Sequence, residues 1–125
     1  PFDQSTLGET LLCPTRIYVK SLLALLKNVD VHAIAHITGG GITENLPRVL
    51  PENLTAVVDR SKIKVLPIFE FMSKHVELEE MYRTFNMGVG MILVVNPSNV
   101  DSVLASTDGY VIGELKEGKR EVEFI

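Results

Sequence analysis

Apolar residues recur with a helical spacing in two segments of this chain. Between residues 15 and 28 they return every three or four positions after a proline, which the first turn of a helix tolerates. A second such run predicts a helix that ends near residue 86, through Leu78, Met81, Tyr82 and Phe85. Prolines near the start of three other stretches predict shorter helices, over about residues 45–50, 67–75 and 97–106.

Alternation of apolar and other residues predicts a strand over residues 29–38 that ends on Gly39. Its odd-numbered positions are apolar and share one face, whereas His32 and His36 lie on the opposite face. A second strand is predicted over residues 54–58.

Two further segments complete the predicted sheet. Residues 89–95 are apolar on both faces, which predicts a central strand. Residues 110–116 and 120–124 flank Glu117-Gly118, which predicts a hairpin. The whole pattern predicts a mixed α+β fold in which helices pack against a β-sheet.

Composition limits the classes of partner. A length of 125 residues suits a single domain, and 46% hydrophobic with 22% charged residues is typical of a globular core. Twelve basic against sixteen acidic residues give a net charge of −4, which provides no positive field for nucleic acid or an acidic membrane. The longest apolar runs are too short to span a bilayer. We therefore expect neither a nucleic-acid nor a membrane partner.

The single cysteine and the first residue indicate where the protein is located and whether it is a piece of a longer one. The single Cys13 excludes an internal disulfide, which fits a reducing, cytoplasmic location. The chain begins with Pro1 rather than Met, which favours a processed product or a piece of a longer protein.

The two histidines of the predicted strand differ in what they can do. Four residues of strand separate them by roughly 13 Å, too far to share one metal ion. His36 lies two residues before the glycines and shares its face with Thr38, at the end of a strand where ligands collect in α/β sheets. It is a candidate proton donor or hydrogen-bond partner of a substrate, and the alternative is a strand-end cap. For His32, a structural hydrogen bond is an equal alternative.

The glycines that follow predict an anion site. Gly39, Gly40 and Gly41 precede a polar stretch, and their backbone N–H groups would form a nest that suits phosphate. Arg48 could add a charge-assisted contact, or it could be a solvated surface residue. Arg16, at the predicted start of a helix, is a weaker candidate for an anion. The alternative for the glycines is a tight turn between strand and helix.

Three stretches resemble one family in the same order. LLCPTRIYVK at 11–20, HAIAHITGGGITENLPR at 32–48 and EMYRTFNMGVGM at 80–91 resemble the carboxy-terminal domain of aminoimidazole ribonucleotide synthetases, the phosphoribosylformylglycinamidine cyclo-ligases of purine synthesis. The resemblance runs over nearly all 125 residues. It implies that residues 1–125 form the substrate-side domain, without its first segment and without the amino-terminal ATP-binding domain.

The resemblance also implies an activity and a set of residues. The complete enzyme would use ATP and Mg²⁺, held mostly by the absent domain, to close the imidazole ring of formylglycinamidine ribonucleotide. The products are aminoimidazole ribonucleotide, ADP and phosphate. His36 would be catalytic, and the substrate-binding residues would be Thr38, Gly39, Gly40, Gly41, Asn45, Arg48 and, to a lesser degree, Arg16. The expected partners are the ribonucleotide, the amino-terminal domain and a second copy in a homo-oligomer, and the isolated chain is expected to be inactive.

Two departures and two alternatives accompany this interpretation. A serine-glycine, histidine-serine-asparagine-glycine segment that such domains carry before this point is missing, and no tryptophan precedes Pro67 in SKIKVLP at 61–67. We expect the second change to alter packing rather than chemistry. One alternative is a related kinase or synthetase domain of the same superfamily, against which PTRIYVK and ENLPR argue. The other is a free-standing ligand-binding or subunit-interaction module.

Overall fold

The computed structural model describes residues 5–125 and has an α+β architecture, as predicted. The helices are α1 (Leu7–Leu11), α2 (Val19–Leu26), α3 (Gly41–Asn45), α4 (Pro67–Met72), α5 (Leu78–Thr84) and α6 (Val100–Ser106). The strands are β1 (Val31–His36), β2 (Leu54–Val58), β3 (Met91–Val95), β4 (Gly113–Glu117) and β5 (Glu121–Phe124). Short 3-10 turns lie at Leu46–Val49, Arg60–Lys62 and Pro97–Asn99. The strands form two separate sheets rather than one.

The first sheet is the antiparallel pair of β1 and β3. The alternation predicted for β1 is confirmed, because Ala35 and Ile37 are buried while His36 between them is exposed. The strand ends at His36, two residues before the polypeptide turns at the glycines, and His36 pairs with Met91 across the sheet. The exposed imidazole therefore lies at the end of the strand, next to the glycines.

The prediction that residues 89–95 form a central strand is wrong. β3 pairs only with β1 among the described strands, and all five of its residues are half-buried. One face of the sheet packs on the main core, and the other face, through Leu93 and Val95, packs on a smaller cluster of Leu25, Val29 and Val103. β3 is therefore an edge strand, and it is apolar on both faces because each face packs against a different cluster.

The prediction of a hairpin at Glu117-Gly118 is also wrong. β2 lies between β4 and β5, antiparallel to the former and parallel to the latter, in a mixed three-stranded sheet. The connection between β4 and β5 crosses the end of β2, where the N–H of Gly118 donates to the carbonyl of Asn53 at 3.0 Å. The hydroxyl of Thr55 donates to the carbonyl of Lys119 at 2.6 Å. β2 itself, predicted over residues 54–58, is confirmed.

The first helices differ from the prediction of one helix over residues 15–28. The helix begins only at Val19, and residues 13–17 after α1 are not helical. The sequence pattern did not predict α1, which begins with a capping box formed by Thr6 and Glu9. α2 buries Leu25 against Val29 and Val103.

α5 contributes two buried side chains to the main core. Met81 is fully buried and Tyr82 is 4% exposed, among the side chains of Ile37, Ile42 and Leu46. Leu78, the first residue of the apolar run predicted for this helix, is 48% exposed and so lies outside the core. The helix ends at Thr84, after which the side chain of Asn86 accepts a hydrogen bond from the N–H of Gly88 at 2.9 Å.

We expect Met81→Ala to lower the free energy of unfolding by about 2–5 kcal/mol, because it leaves a cavity in a fully buried position. Leu78→Ala on the same helix is the control and should cost about 1 kcal/mol or less, since Leu78 is half-exposed. Urea denaturation of the chain measures both. Equal losses for the two variants would contradict the burial that the fold assigns to Met81.

Candidate functional site

The candidate site surrounds the glycine turn, residues 38–41, which connects β1 to α3. Gly40 and Gly41 have φ angles of 96° and 61°, in the left-handed region that side-chain-bearing residues avoid. The N–H of Gly41 donates to the carbonyl of Thr38 at 3.0 Å and closes the turn. The alternative interpretation, a tight turn between strand and helix, is therefore sufficient to explain these two glycines.

The glycine turn packs directly against the last turn of α5. A Cβ atom at Gly41 would lie 2.5 Å from the carbonyl oxygen of Tyr82 and 2.6 Å from that of Phe85, so no side chain fits there. The N–H of Gly40 donates to the carbonyl of Thr84 at 3.2 Å, and the hydroxyl of Thr43 lies 3.4 Å from the carbonyl of Tyr82. The N–H groups of Gly40 and Gly41 thus have partners within the chain.

Gly39 differs from the other two glycines. A Cβ atom at Gly39 would meet nothing within 4 Å, and its φ angle is not in the left-handed region. Neither local packing nor backbone conformation requires glycine at this position. The surface beside Gly39 is therefore the part of the turn that a ligand can approach.

The predicted polar site residues divide into exposed and buried groups. His36, Thr38 and Arg48 are exposed, whereas Asn45 is 5% exposed. The side-chain amide nitrogen of Asn45 lies 2.9–3.2 Å from three carbonyl oxygens of the turn. The Nη1 of Arg48 lies 3.4 Å from the Oδ1 of Asn45, so the guanidinium group is at the surface next to the turn.

Arg16 lies in a different environment. It precedes α2 in a non-helical segment, so the prediction that it begins a helix is wrong. Its guanidinium group forms a two-point ion pair with Asp108, at 2.8 and 3.0 Å, and lies 5.2 Å from the ring centroid of Tyr18. The hydrogen bonds to Arg16 lower the pKa of the Asp108 carboxyl.

A cavity of about 320 Å³ lies beside this ion pair, mostly between β3 and the segment around β4. Its lining includes Arg16 but none of the other predicted site residues. Hydrogen bonds of Asn45 connect Thr38, Gly39 and Arg48 around the turn, next to His36 at the end of β1, whereas Arg16 lines the cavity. In the described part of the chain, no group of three histidine, cysteine or acidic side chains could hold a metal ion.

Sequence reasoning missed the residues that hold α5 in place under the turn. The guanidinium carbon of Arg60 lies 4.8 Å from the ring centroids of both Tyr82 and Phe124. The same group pairs with Glu79 at 2.8 Å, and this contact lowers the pKa of the Glu79 carboxyl. Because these partners are far from Arg60 in sequence, no local pattern reveals the cluster.

Comparison with known proteins identifies the class of protein. Residues 1–125 match the family described as AIR synthase related protein, C-terminal domain. The chain belongs to this family, which confirms the resemblance of the three sequence stretches. Among the described residues, no helix has the length and apolar character needed to cross a membrane.

Individual relatives are similar over nearly the whole chain. A phosphoribosylformylglycinamidine cyclo-ligase of Brevibacillus brevis is 48% identical over 125 residues, which cover 94% of this chain and 36% of that protein. A cyclo-ligase of the same name from Ligilactobacillus salivarius is 47% identical over 131 residues, with 99% and 38% covered. The bifunctional purine biosynthetic protein purD of Dictyostelium discoideum is 48% identical over 127 residues, with 95% and 16% covered. The chain thus spans well under half the length of these curated relatives.

The packing of the glycine turn yields a stability prediction. Gly41→Ala should lower the free energy of unfolding by about 1–3 kcal/mol, because the added methyl group meets two carbonyl oxygens in a left-handed conformation. Gly39→Ala is the matched control and should leave stability unchanged or slightly raised, since its Cβ enters open space. Thermal unfolding of the two variants measures the difference. Greater damage from Gly39→Ala would show that the turn is packed differently.

Proposed function

We propose that this chain is the carboxy-terminal, substrate-side domain of an ATP-dependent phosphoribosylformylglycinamidine cyclo-ligase. The observation that carries the proposal is the 47–48% identity to two cyclo-ligases over 94–99% of the chain. The reaction converts formylglycinamidine ribonucleotide and ATP to aminoimidazole ribonucleotide, ADP and phosphate. A cytoplasmic location fits this role in purine synthesis.

The proposed chemistry makes a poor leaving group into a good one. ATP transfers a phosphoryl group to the oxygen of the formyl amide, and ADP is released. An internal nitrogen of the substrate then attacks the same carbon, the carbon–oxygen bond breaks, and phosphate departs with that oxygen. Ring closure requires protons to move at the reacting amide; a neutral imidazole can accept a proton, and the imidazolium that forms can donate it back. His36, exposed at the end of β1, is the residue that we assign to this role.

The glycine turn is the proposed binding site for the anionic part of the substrate. Three exposed features support it: the open surface at Gly39, the hydroxyl of Thr38 and the guanidinium group of Arg48. A guanidinium group can donate two parallel hydrogen bonds to a phosphate group. Gly40 and Gly41 support the turn rather than the ligand, because their N–H groups are bonded within the chain. Arg16, paired with Asp108, is proposed only as a peripheral contact.

ATP and Mg²⁺ are assigned to the part of the enzyme outside this chain. The sequence has no GxxxxGK[ST] loop, and the described residues contain no group of three acidic, cysteine or histidine side chains for a metal. The amino-terminal domain is accordingly the proposed partner that supplies the phosphoryl donor. The half-buried apolar edge strand β3 supports association of copies of the protein into a homo-oligomer.

The longer enzyme that carries this chain tests the assigned residues. His36→Ala should lower kcat by about 10²–10⁴-fold, the usual contribution of general acid–base catalysis, with a smaller change in KM. Arg48→Ala should instead raise KM, because it removes a charge-assisted contact of about 1.5–3 kcal/mol. Arg83→Ala is the matched control, since Arg83 is an exposed arginine paired only weakly with Glu80 at 3.8 Å. We would abandon the site if His36→Ala and Arg48→Ala both behaved like Arg83→Ala in folded enzyme.

The isolated chain should have neither cyclo-ligase nor ATPase activity, because the proposed site for ATP and Mg²⁺ lies elsewhere. Release of phosphate from ATP, with and without formylglycinamidine ribonucleotide, measures both activities. The longer enzyme assayed in parallel is the positive control. Turnover of ATP by the purified chain alone would refute the assignment of the nucleotide site to another domain.

A further inference from the structure

Asn45 is one of two buried polar residues among those that the structure describes, and it lies under the glycine turn. Its Nδ2 atom is 3.2 Å from the carbonyl oxygen of Thr38, 3.2 Å from that of Gly39 and 2.9 Å from that of Gly41. An amide NH₂ group has two hydrogen atoms, so all of its donor capacity is spent on the turn. The NH₂ group of this buried side chain therefore has no hydrogen atom left to donate to a ligand.

The direction of these hydrogen bonds sets the polarity of the turn. In a trans peptide the carbonyl and the following N–H point in opposite directions, and the described residues include no cis peptide. Because the carbonyls of Thr38 and Gly39 face Asn45, the N–H groups of Gly39 and Gly40 point away from it. The N–H of Gly40 donates to the carbonyl of Thr84 at 3.2 Å. Gly39, in contrast, is the glycine at which a Cβ atom would meet nothing within 4 Å.

The oxygen of the same amide contacts the exposed polar groups of the site. Oδ1 of Asn45 lies 3.4 Å from Nη1 of Arg48 and 3.5 Å from the hydroxyl of Thr38. One buried side chain therefore contacts the turn through its nitrogen and both exposed groups through its oxygen. Replacing the amide with a carboxylate of the same shape would remove the three contacts of the nitrogen and keep an acceptor oxygen for Thr38 and Arg48.

We propose that Asn45 is the positioning residue of the substrate site: its amide holds the carbonyls of the glycine turn inward, so that the outer surface presents the N–H of Gly39 and the guanidinium group of Arg48 to an anion. The inference rests on the proposed function, since it concerns the same site and the phosphate of the same substrate. A carboxylate at residue 45 would repel the three carbonyl oxygens and release the inward orientation. The isosteric substitution Asn45→Asp is therefore the most direct test.

In the longer enzyme, Asn45→Asp should raise KM for formylglycinamidine ribonucleotide by about tenfold or more, the factor expected for losing one hydrogen-bonded contact. The fall in kcat should be smaller than the rise in KM, because Asn45 touches no reacting atom. Asn45→Ala is the second variant for the case in which Asn45→Asp does not fold, and it should raise KM in the same direction.

The matched control is Thr55→Val. Thr55 is the other buried polar residue, and its hydroxyl donates to the carbonyl of Lys119 in the three-stranded sheet, away from the glycine turn. This variant should lower the midpoint of unfolding, as Asn45→Asp does, and leave KM unchanged. An equal rise in KM for Thr55→Val, or an unchanged KM for a folded Asn45 variant, would overturn the positioning role.

A second experiment tests the role of Asn45 in the case in which the proposed function is wrong. If the wild-type longer protein lacked cyclo-ligase activity, the proposed function would fall, and inorganic phosphate would serve as the probe of the turn. Phosphate should then raise the midpoint of unfolding of the wild type and of Thr55→Val but not of Asn45→Asp. Equal stabilisation of all three proteins would overturn the inference independently of the reaction.

Discussion

The close contact between the glycine turn and the last turn of α5 is the constraint on which the candidate site depends. Gly41 lies against the carbonyl oxygens of Tyr82 and Phe85, at a distance that excludes any side chain. Because α5 is anchored in the core through Met81, the position of its carbonyl end is fixed. The turn therefore has one available position, and the end of β1 is placed next to it.

This contact in turn depends on a cluster at the other side of α5. The guanidinium group of Arg60 contacts the rings of both Tyr82 and Phe124, which also contact each other, and it pairs with Glu79. The cluster joins α5 to the three-stranded sheet, although the exposed ion pair alone contributes little to stability. The cation–π contacts of the guanidinium group with two aromatic rings are more specific. The sheet, the helix and the turn are thereby connected through packed side chains.

The candidate site divides its residues between buried support and exposed surface. Asn45 and Gly41 are committed to the internal structure of the turn, and Gly39, Thr38 and Arg48 present the surface that remains. In the proposed function, such a division would lower the cost of binding, because the backbone of the turn is already ordered before a ligand arrives. It also explains why substitutions at adjacent positions of this motif have different expected effects on stability.

The sequence alone identified the family, the α+β class and the strand over residues 54–58. These features depend on the periodicity of apolar residues and on short motifs in a fixed order, and both can be read from the sequence without the fold. It also showed that His36 is on the face opposite the core, since alternation assigns faces without knowledge of the partner strand.

Only the tertiary structure decided which strands pair and which glycines have room beside them. β2 separates β4 from β5, and β3 is an edge strand, because pairing depends on hydrogen bonds between residues far apart in the sequence. The three glycines look alike in the sequence but differ in the space around them. A Cβ atom would meet Glu44 at Gly40 and the carbonyls of Tyr82 and Phe85 at Gly41, but nothing at Gly39. The hydrogen bonds of Asn45 to the turn and of Arg16 to Asp108 were likewise not predicted, since the identity of a side chain does not reveal which partner it meets in the folded chain.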